Sequence, residues 1–203
     1  MGNIVDAMGR NGAMDAAIKP VTRAQGFIGS ALTVEAGPRD NLAPWAALRF
    51  AQPGDVLVIS TGGFTGSSVC GDILVGMAKN AGVVAIVTDG VVRDRAGCDA
   101  AGIPVFARGL SPNSPQKNGP GAVGLPIVCA GVACGQGDIV VGDEDGVVVI
   151  PAARAGEVGA ALEEVRAKEA DMEAALARGD TMPSWVADPS EDELFEFLPE
   201  TRS

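Results

Sequence analysis

Asp55-Val56-Leu57-Val58-Ile59-Ser60, then Asp72-Ile73-Leu74-Val75-Gly76-Met77-Ala78-Lys79-Asn80, then Val83-Val84-Ala85-Ile86-Val87-Thr88 follow one another along the chain, and their reading decides the fold. The first and third are unbroken apolar runs of strand length, the pattern of strands covered on both faces. The middle stretch reads as a helix and is closed by Ala81-Gly82. Strand, helix and strand in that order predict a βαβ unit with a parallel pair, and so an α/β fold.

On the N-terminal side, residues 26–35 read as a further strand, and residues 42–51 carry helical periodicity that stops at Pro53-Gly54. Residues 3–18 place apolar side chains at helical intervals, but Gly9 and Gly12 divide them into short turns or helices. Residues 61–70 read as a Gly/Ser/Thr loop. On the C-terminal side the pattern predicts strands at 104–107, 122–125, 127–129 and 138–141, with a polar loop over 111–121 that holds three prolines. Asp143-Glu144-Asp145-Gly146 leads into Val147-Val148-Val149-Ile150, a strong hairpin signal. A long helix over 153–177 is closed by Gly179. One domain is expected over 1–182, followed by an acidic extension over 183–203 that carries Trp185, Phe195 and Phe197.

The composition narrows the chemistry. With 15 basic and 26 acidic residues the formal charge is −11, and no Lys/Arg cluster stands out. A nucleic-acid partner held through phosphates is therefore not expected. An anionic ligand would have to be held locally, by a few basic side chains, backbone N–H groups or a bound cation. No apolar run approaches 18 residues and Met1 to Arg10 lacks the apolar core of a signal peptide, so the expected location is the cytoplasm, with no membrane partner. The chain has no histidine, which excludes Ser-His-Asp and Cys-His nucleophile systems and leaves acid–base work to carboxylates, lysine or a metal-activated water. Cys70, Cys98, Cys129 and Cys134 have no zinc-site spacing and read as buried free thiols. Of Lys19, Lys79, Lys117 and Lys168, none follows a buried strand as a Schiff-base lysine would.

Two stretches can carry chemistry. The loop Thr61-Gly62-Gly63-Phe64-Thr65-Gly66-Ser67-Ser68 leads to a helix start at Gly71-Asp72-Ile73-Leu74, where free N–H groups and the helix dipole suit a carboxylate or phosphate. The buried strand at 83–88 ends in Asp89-Gly90-Val91-Val92-Arg93-Asp94-Arg95, charged groups just past a strand's carboxyl end, where open α/β sheets bind ligands. There Arg93 is suited to stabilising developing negative charge and Asp94 to holding a divalent cation, although an ordinary loop ion pair has the same spacing.

Asp72, twenty residues, then Arg93-Asp94 resembles the D-x20-R-D signature of the RraA-like aldolases. The likeness extends to Gly29-Ser30-Ala31-Leu32-Thr33-Val34, Pro53-Gly54-Asp55-Val56-Leu57-Val58, Pro104-Val105-Phe106-Ala107-Arg108-Gly109 and residues 137–151, in family order over about 3–180. The resemblance implies an αββα sandwich similar to the swivelling phosphohistidine domain, assembled as trimers or pairs of trimers with active sites at subunit interfaces. It implies that Asp94 ligates Mg2+ or Mn2+, that Asp72 holds a water on that ion, and that Arg93 contacts a 2-oxo acid substrate at its keto oxygen. Backbone N–H groups of Gly71, Asp72, Ile73 and Leu74 would receive the substrate carboxylate. Glu169, or one of Glu163, Glu164 and Glu173, would reach an adjacent subunit's site. The implied reaction is metal-dependent cleavage of 4-hydroxy-4-methyl-2-oxoglutarate or 4-carboxy-4-hydroxy-2-oxoadipate, with oxaloacetate decarboxylation as a side activity. Other members of the family bind an RNA-processing enzyme as regulators and need no catalysis, which is the alternative reading.

Overall fold

Leu57 and Ile59 pack to one side of their strand and Val56 and Val58 to the other, and all four are fully buried. That two-sided burial explains why the run is apolar throughout. The structure, a computed structural model, describes residues 1–183 and 186. Its elements are α1 (Gly2–Ala7), β1 (Lys19–Pro20), β2 (Phe27–Glu35), α2 (Leu42–Ala47), β3 (Asp55–Ser60), β4 (Ser68–Cys70), α3 (Asp72–Asn80) and β5 (Ala85–Thr88). There follow β6 (Val91–Val92), α4 (Arg95–Ala101), β7 (Val105–Ala107), β8 (Ala122–Val123), β9 (Ile127–Cys129), β10 (Val132–Cys134), β11 (Ile139–Asp143), β12 (Gly146–Ile150) and α5 (Ala155–Arg178).

The main sheet runs β1-β7-β5-β3-β2-β11-β12, with β8 also paired to β2. Its centre, β2, β3, β5 and β7, is parallel, in the register Leu32↔Leu57, Leu57↔Ile86 and Ile86↔Val105. The period-2 alternation of these strands separates two cores. Leu32, Leu57, Ile59, Ile86 and Val105 meet α2, α3 and α4 through Ala47, Leu74, Val75, Ala78 and Cys98. Val56, Val58, Val87 and Phe106 meet Val147 and Val149 of β12 and Ile127 and Cys129 of β9, so the curved sheet folds over onto itself. The outer side of β11 and β12 is covered by α1 and the start of α5, through Ile4, Val5, Met8, Ile139, Val148, Ile150 and Val158. The resulting order is helix, sheet, sheet, helix, the αββα arrangement.

By its contacts the chain divides into two compact units, Met1–Leu162 and Glu163–Ser203. Val158 is the only buried residue of that helix. Trp185, Phe195 and Phe197 lie outside the described residues. No helix among the described residues is long and apolar enough to cross a membrane.

Several elements differ from the sequence reading. Residues 68–70, read as loop, form β4 and pair in parallel with β6, and α4 follows directly after Asp94. Strands of two and three residues show no measurable period, so hydrophobic patterning could not reveal β1, β4, β6 or β10. The helix expected over 42–51 ends at Ala47, whereas the hairpin forms where it was expected, with Asp143 opposite Gly146.

Candidate active site

The pairing of β4 with β6 brings the two chemistry-bearing stretches together. Ser68 faces Val91, Cys70 faces Val92, and the Arg93 N–H donates to the Cys70 carbonyl at 3.0 Å. Because the strands are parallel, the residues that leave them emerge side by side: Gly71-Asp72 into α3, and Arg93-Asp94 into α4. The twenty-residue spacing is thus the path from β4 out along α3, back along β5 and into β6.

Close packing tightens this junction. A Cβ on Gly71 would lie 2.6 Å from Asp94 Oδ2 and 3.0 Å from Arg93 Cγ, and one on Gly97 would lie 2.4 Å from Asp72 Cβ. Both glycines are spaces into which the opposite motif fits. Asp94 caps α4 from the left-handed region, with φ 56°. That conformation costs a non-glycine residue roughly 1–2 kcal/mol and is a form of strain that collects at functional sites.

Arg93 Nε lies 3.0 Å from Asp94 Oδ2, and Arg93 Nη1 donates to Ser114 Oγ at 2.6 Å. The two charged side chains remain 40% and 43% exposed, and an ion pair so open contributes only about 0–1 kcal/mol of stability. The pair does little for the fold and is open to a ligand. Asp89, from the same stretch, behaves differently. It is buried and accepts from the Thr61 N–H (2.6 Å), Thr61 Oγ1 (2.9 Å) and the Gly63 N–H (3.1 Å), which fixes the Gly-rich loop.

A cleft of about 100 Å³ opens over this junction, several times the roughly 10–15 Å³ that one water needs. Gly71, Asp72, Ile73, Leu74, Arg93 and Asp94 all line it. The Ile73 N–H is already taken by Asp72 Oδ1 at 2.8 Å, whereas among the described residues the Leu74 N–H has no partner. The lining lies wholly within the first unit. Glu169 stands on α5 within the second unit.

The family model described as RraA-like, Aldolase/RraA, matches residues 1–149. The chain belongs to the RraA-like family. A Halalkalibacterium halodurans relative, provisionally named a 4-hydroxy-4-methyl-2-oxoglutarate aldolase, is 39% identical over 171 residues, covering 84% of this chain and 80% of its own. A Pseudomonas syringae protein of known crystal structure superposes with a TM-score of 0.79 at 30% identity, covering 89% of this chain and 85% of that one. The Thermus RNA-processing inhibitor RraA superposes with a TM-score of 0.68 at 26% identity, over 74% of this chain and 91% of its own.

In this RraA-like cleft the sequence reading missed Asn41, Trp45 and Ser114, and beside it Gly97, which packs on Asp72. Asn41, Trp45 and Ser114 line it, as does Lys117 of the proline-containing loop. Asn41 Oδ1 and Trp45 Nε1 are buried beside it without a hydrogen-bond partner among the described residues. Only the proline-rich composition of the 111–121 loop hinted at a fixed wall. The Cys98 thiol is pushed up to about 11, first by its burial and then by the nearby carboxylates of Asp72, Asp94 and Asp99.

Among the described residues no three His, Cys, Asp or Glu side chains form a metal cage. Asp94 Oδ1 and Asp72 Oδ2 accept no hydrogen bond from the described residues, which leaves two carboxylate oxygens at the junction. A hydrated hard cation such as Mg2+ needs one or two carboxylates and keeps several waters, so this donor set fits it, while a four-coordinate zinc site is not available.

Proposed function

We propose that the protein is a divalent-metal-dependent pyruvate aldolase of the cytoplasm. It cleaves a 4-hydroxy-2-oxo dicarboxylic or tricarboxylic acid of the 4-hydroxy-4-methyl-2-oxoglutarate type to pyruvate and a second keto acid. One observation carries the reading: a guanidinium, two carboxylates and a helix N-terminus line a single cleft, on a chain with no histidine. The relative named for this activity supports it.

Breaking the C3–C4 bond sends its electron pair into a pyruvate enolate, while the C4 hydroxyl gives its proton to a water in the cleft as the new carbonyl forms, and a water returns a proton to C3 of the enolate to complete pyruvate. Charge therefore grows on the former 2-keto oxygen, and Arg93 is the side chain assigned to meet it. The α3 N-terminus receives the 1-carboxylate, with the Leu74 N–H and the helix dipole as attractive terms. Asp94 would hold the cation and Asp72 would lie just outside its first coordination sphere. When bound, Mg2+ or Mn2+ would supply Lewis-acid polarisation of the 2-oxo group. The same enolate forms when a 3-carboxyl group leaves as CO2, which makes oxaloacetate decarboxylation the expected side activity. In this reading the protein works as a trimer or a pair of trimers, and Glu169 of an adjacent subunit completes the site.

The test is pyruvate release from a panel of 4-hydroxy-2-oxo acids and oxaloacetate with Mg2+ or Mn2+, and its loss on chelation. The similarity to the Thermus RNA-processing inhibitor favours one second reading, a non-catalytic regulator of an RNA-processing enzyme. Absence of metal-dependent pyruvate across the panel would decide for the regulator.

A further inference from the structure

The loop over 111–121 crosses beside the cleft and is pinned at both ends. Upstream, the Asn113 carbonyl accepts from the Ser68 N–H (2.9 Å) and from Ser68 Oγ (2.8 Å), and Asn113 Nδ2 donates to the Gly66 carbonyl (3.0 Å). Downstream, the Gln116 N–H donates to the Arg39 carbonyl (2.7 Å) and the Asn41 N–H to the Gln116 carbonyl (3.0 Å). The strongest tie is Asp40. Its Oδ2 accepts from the N–H groups of Asn118 (2.6 Å) and Gly119 (3.1 Å), and its Oδ1 from that of Leu42 (2.8 Å). Between these anchors stands Ser114, whose hydroxyl accepts from Arg93 Nη1.

Arg93 carries five N–H donors. Asp94 lies 3.0 Å from Nε as an ion-pair partner and Ser114 takes one donor on Nη1, which holds the guanidinium from two sides and leaves its other donors for a ligand. Asp94 comes from the same loop as Arg93, so it turns with it. Ser114 is the tie to a separate segment, and Asp40 sets where that segment lies.

We propose that Asp40 is a positioning residue that acts on Arg93 through the 111–121 loop and Ser114, so that turnover depends on a carboxylate outside the cleft lining. This rests on the aldolase reading for its kinetic consequence, but the link from Asp40 to Arg93 stands on the hydrogen bonds alone. Asp40→Asn is the direct perturbation, because one carboxylate oxygen becomes an NH2 that faces backbone N–H donors. The loop then shifts while the cleft keeps all its own groups. A misplacement of about 1 Å in a catalytic group costs on the order of 100-fold, and a partial shift correspondingly less.

The experiment is a double-mutant cycle of D40N and S114A, with S114T as the variant that keeps the hydroxyl. The expected result is a fall in kcat of roughly 10-fold or more in each single variant, with KM changed less than about threefold, and a double variant no slower than the slower single. S114T should retain most of the wild-type kcat, and it keeps the test alive should D40N not fold. Multiplicative effects, or full kcat in S114A, would overturn the proposal. A second readout is independent of turnover: the 15N side-chain resonance of Arg93 Nε, assigned by its loss in Arg93→Lys. It should shift or broaden in both D40N and S114A. An unchanged Arg93 resonance in D40N overturns the proposal even where the wild type releases pyruvate. A wild type that releases none removes the aldolase reading, and the resonance alone then decides.

Discussion

Replacing Gly97 by Ala tests the junction on which the site depends. The new Cβ would stand 2.4 Å from Asp72 Cβ, 2.5 Å from Asp72 Oδ2 and 2.9 Å from Asp72 Cγ. Asp72 Cβ is fixed to the first residue of α3, so it cannot swing away as the end of a long side chain would. In helix propensity alone the change favours the variant, by about 0.8–1.0 kcal/mol. Forcing an extra methyl into a packed contact costs about 1–3 kcal/mol. The net loss is then about 0–2 kcal/mol. Gly76→Ala in α3 is the control, because its Cβ would meet nothing within 4 Å and it should gain the propensity term without the clash. At about 2–4 °C per kcal/mol for a chain of this size, the midpoints of the two variants should differ by roughly 2–12 °C, with Gly97→Ala the lower. Thermal unfolding by circular dichroism, run side by side, measures this difference. If Gly97→Ala melts at or above Gly76→Ala, helices α3 and α4 do not approach as described, and Asp72 and Asp94 do not share a site.

Arg93→Ala should lower turnover by about 10²- to 10³-fold, the usual cost of losing one preorganised charge-stabilising donor, and activity within threefold of wild type would remove Arg93 from the mechanism. The four thiols should react slowly with an aromatic disulfide reagent in the native protein at pH 8 and rapidly after unfolding. Burial pushes Cys70 and Cys129 upward, Cys98 up to about 11 and Cys134 up to about 12, so a fast native phase would contradict the packing. Asp15 is held below its ordinary value of 3.8 by the Ala17 N–H and then by Arg108. A lowered carboxylate contributes stability above its unfolded pKa and loses it as pH falls through its folded one. The melting difference between wild type and Asp15→Asn should therefore be present at pH 7 and close below pH 3.8, and a gap that persists there would refute the linkage.

Strands β3 and β5 were legible because every residue of each is buried, which leaves a short apolar run of strand length bounded by turn residues. Asp55–Ser60 and Asp72–Asn80 were read to the residue for that reason and because Gly82 closes the helix. The site was legible in part. Charged residues past β5 and a helix start after a Gly-rich loop pointed to Arg93, Asp94 and Asp72, but nothing local said that the two would meet. Their meeting depends on β4 pairing with β6, and strands of three and two residues leave no period to read. Ser114 and Asp40 were invisible for a related reason. Their significance lies in hydrogen bonds between segments more than 20 residues apart, and polar residues in a proline-rich loop have no pattern of their own.

The charges that line the cleft narrow the choice between a catalytic and a merely adhesive surface. Arg93 and Lys117 bring two positive charges, Asp72 and Asp94 two negative ones, so the formal sum of the side chains is zero. The α3 N-terminus adds about half a positive charge. A 2-oxo diacid carries two negative charges and approaches a protein whose net charge is −11. Side chains and dipole together fall well short of balancing it. On the proposed reading, a divalent cation held by Asp94 would supply the missing two charges. On that proposal the carboxylates of Asp94, whose backbone is left-handed at φ 56°, and of Asp72 are there for the cation, and a chelator is expected to abolish substrate binding itself, and not turnover alone.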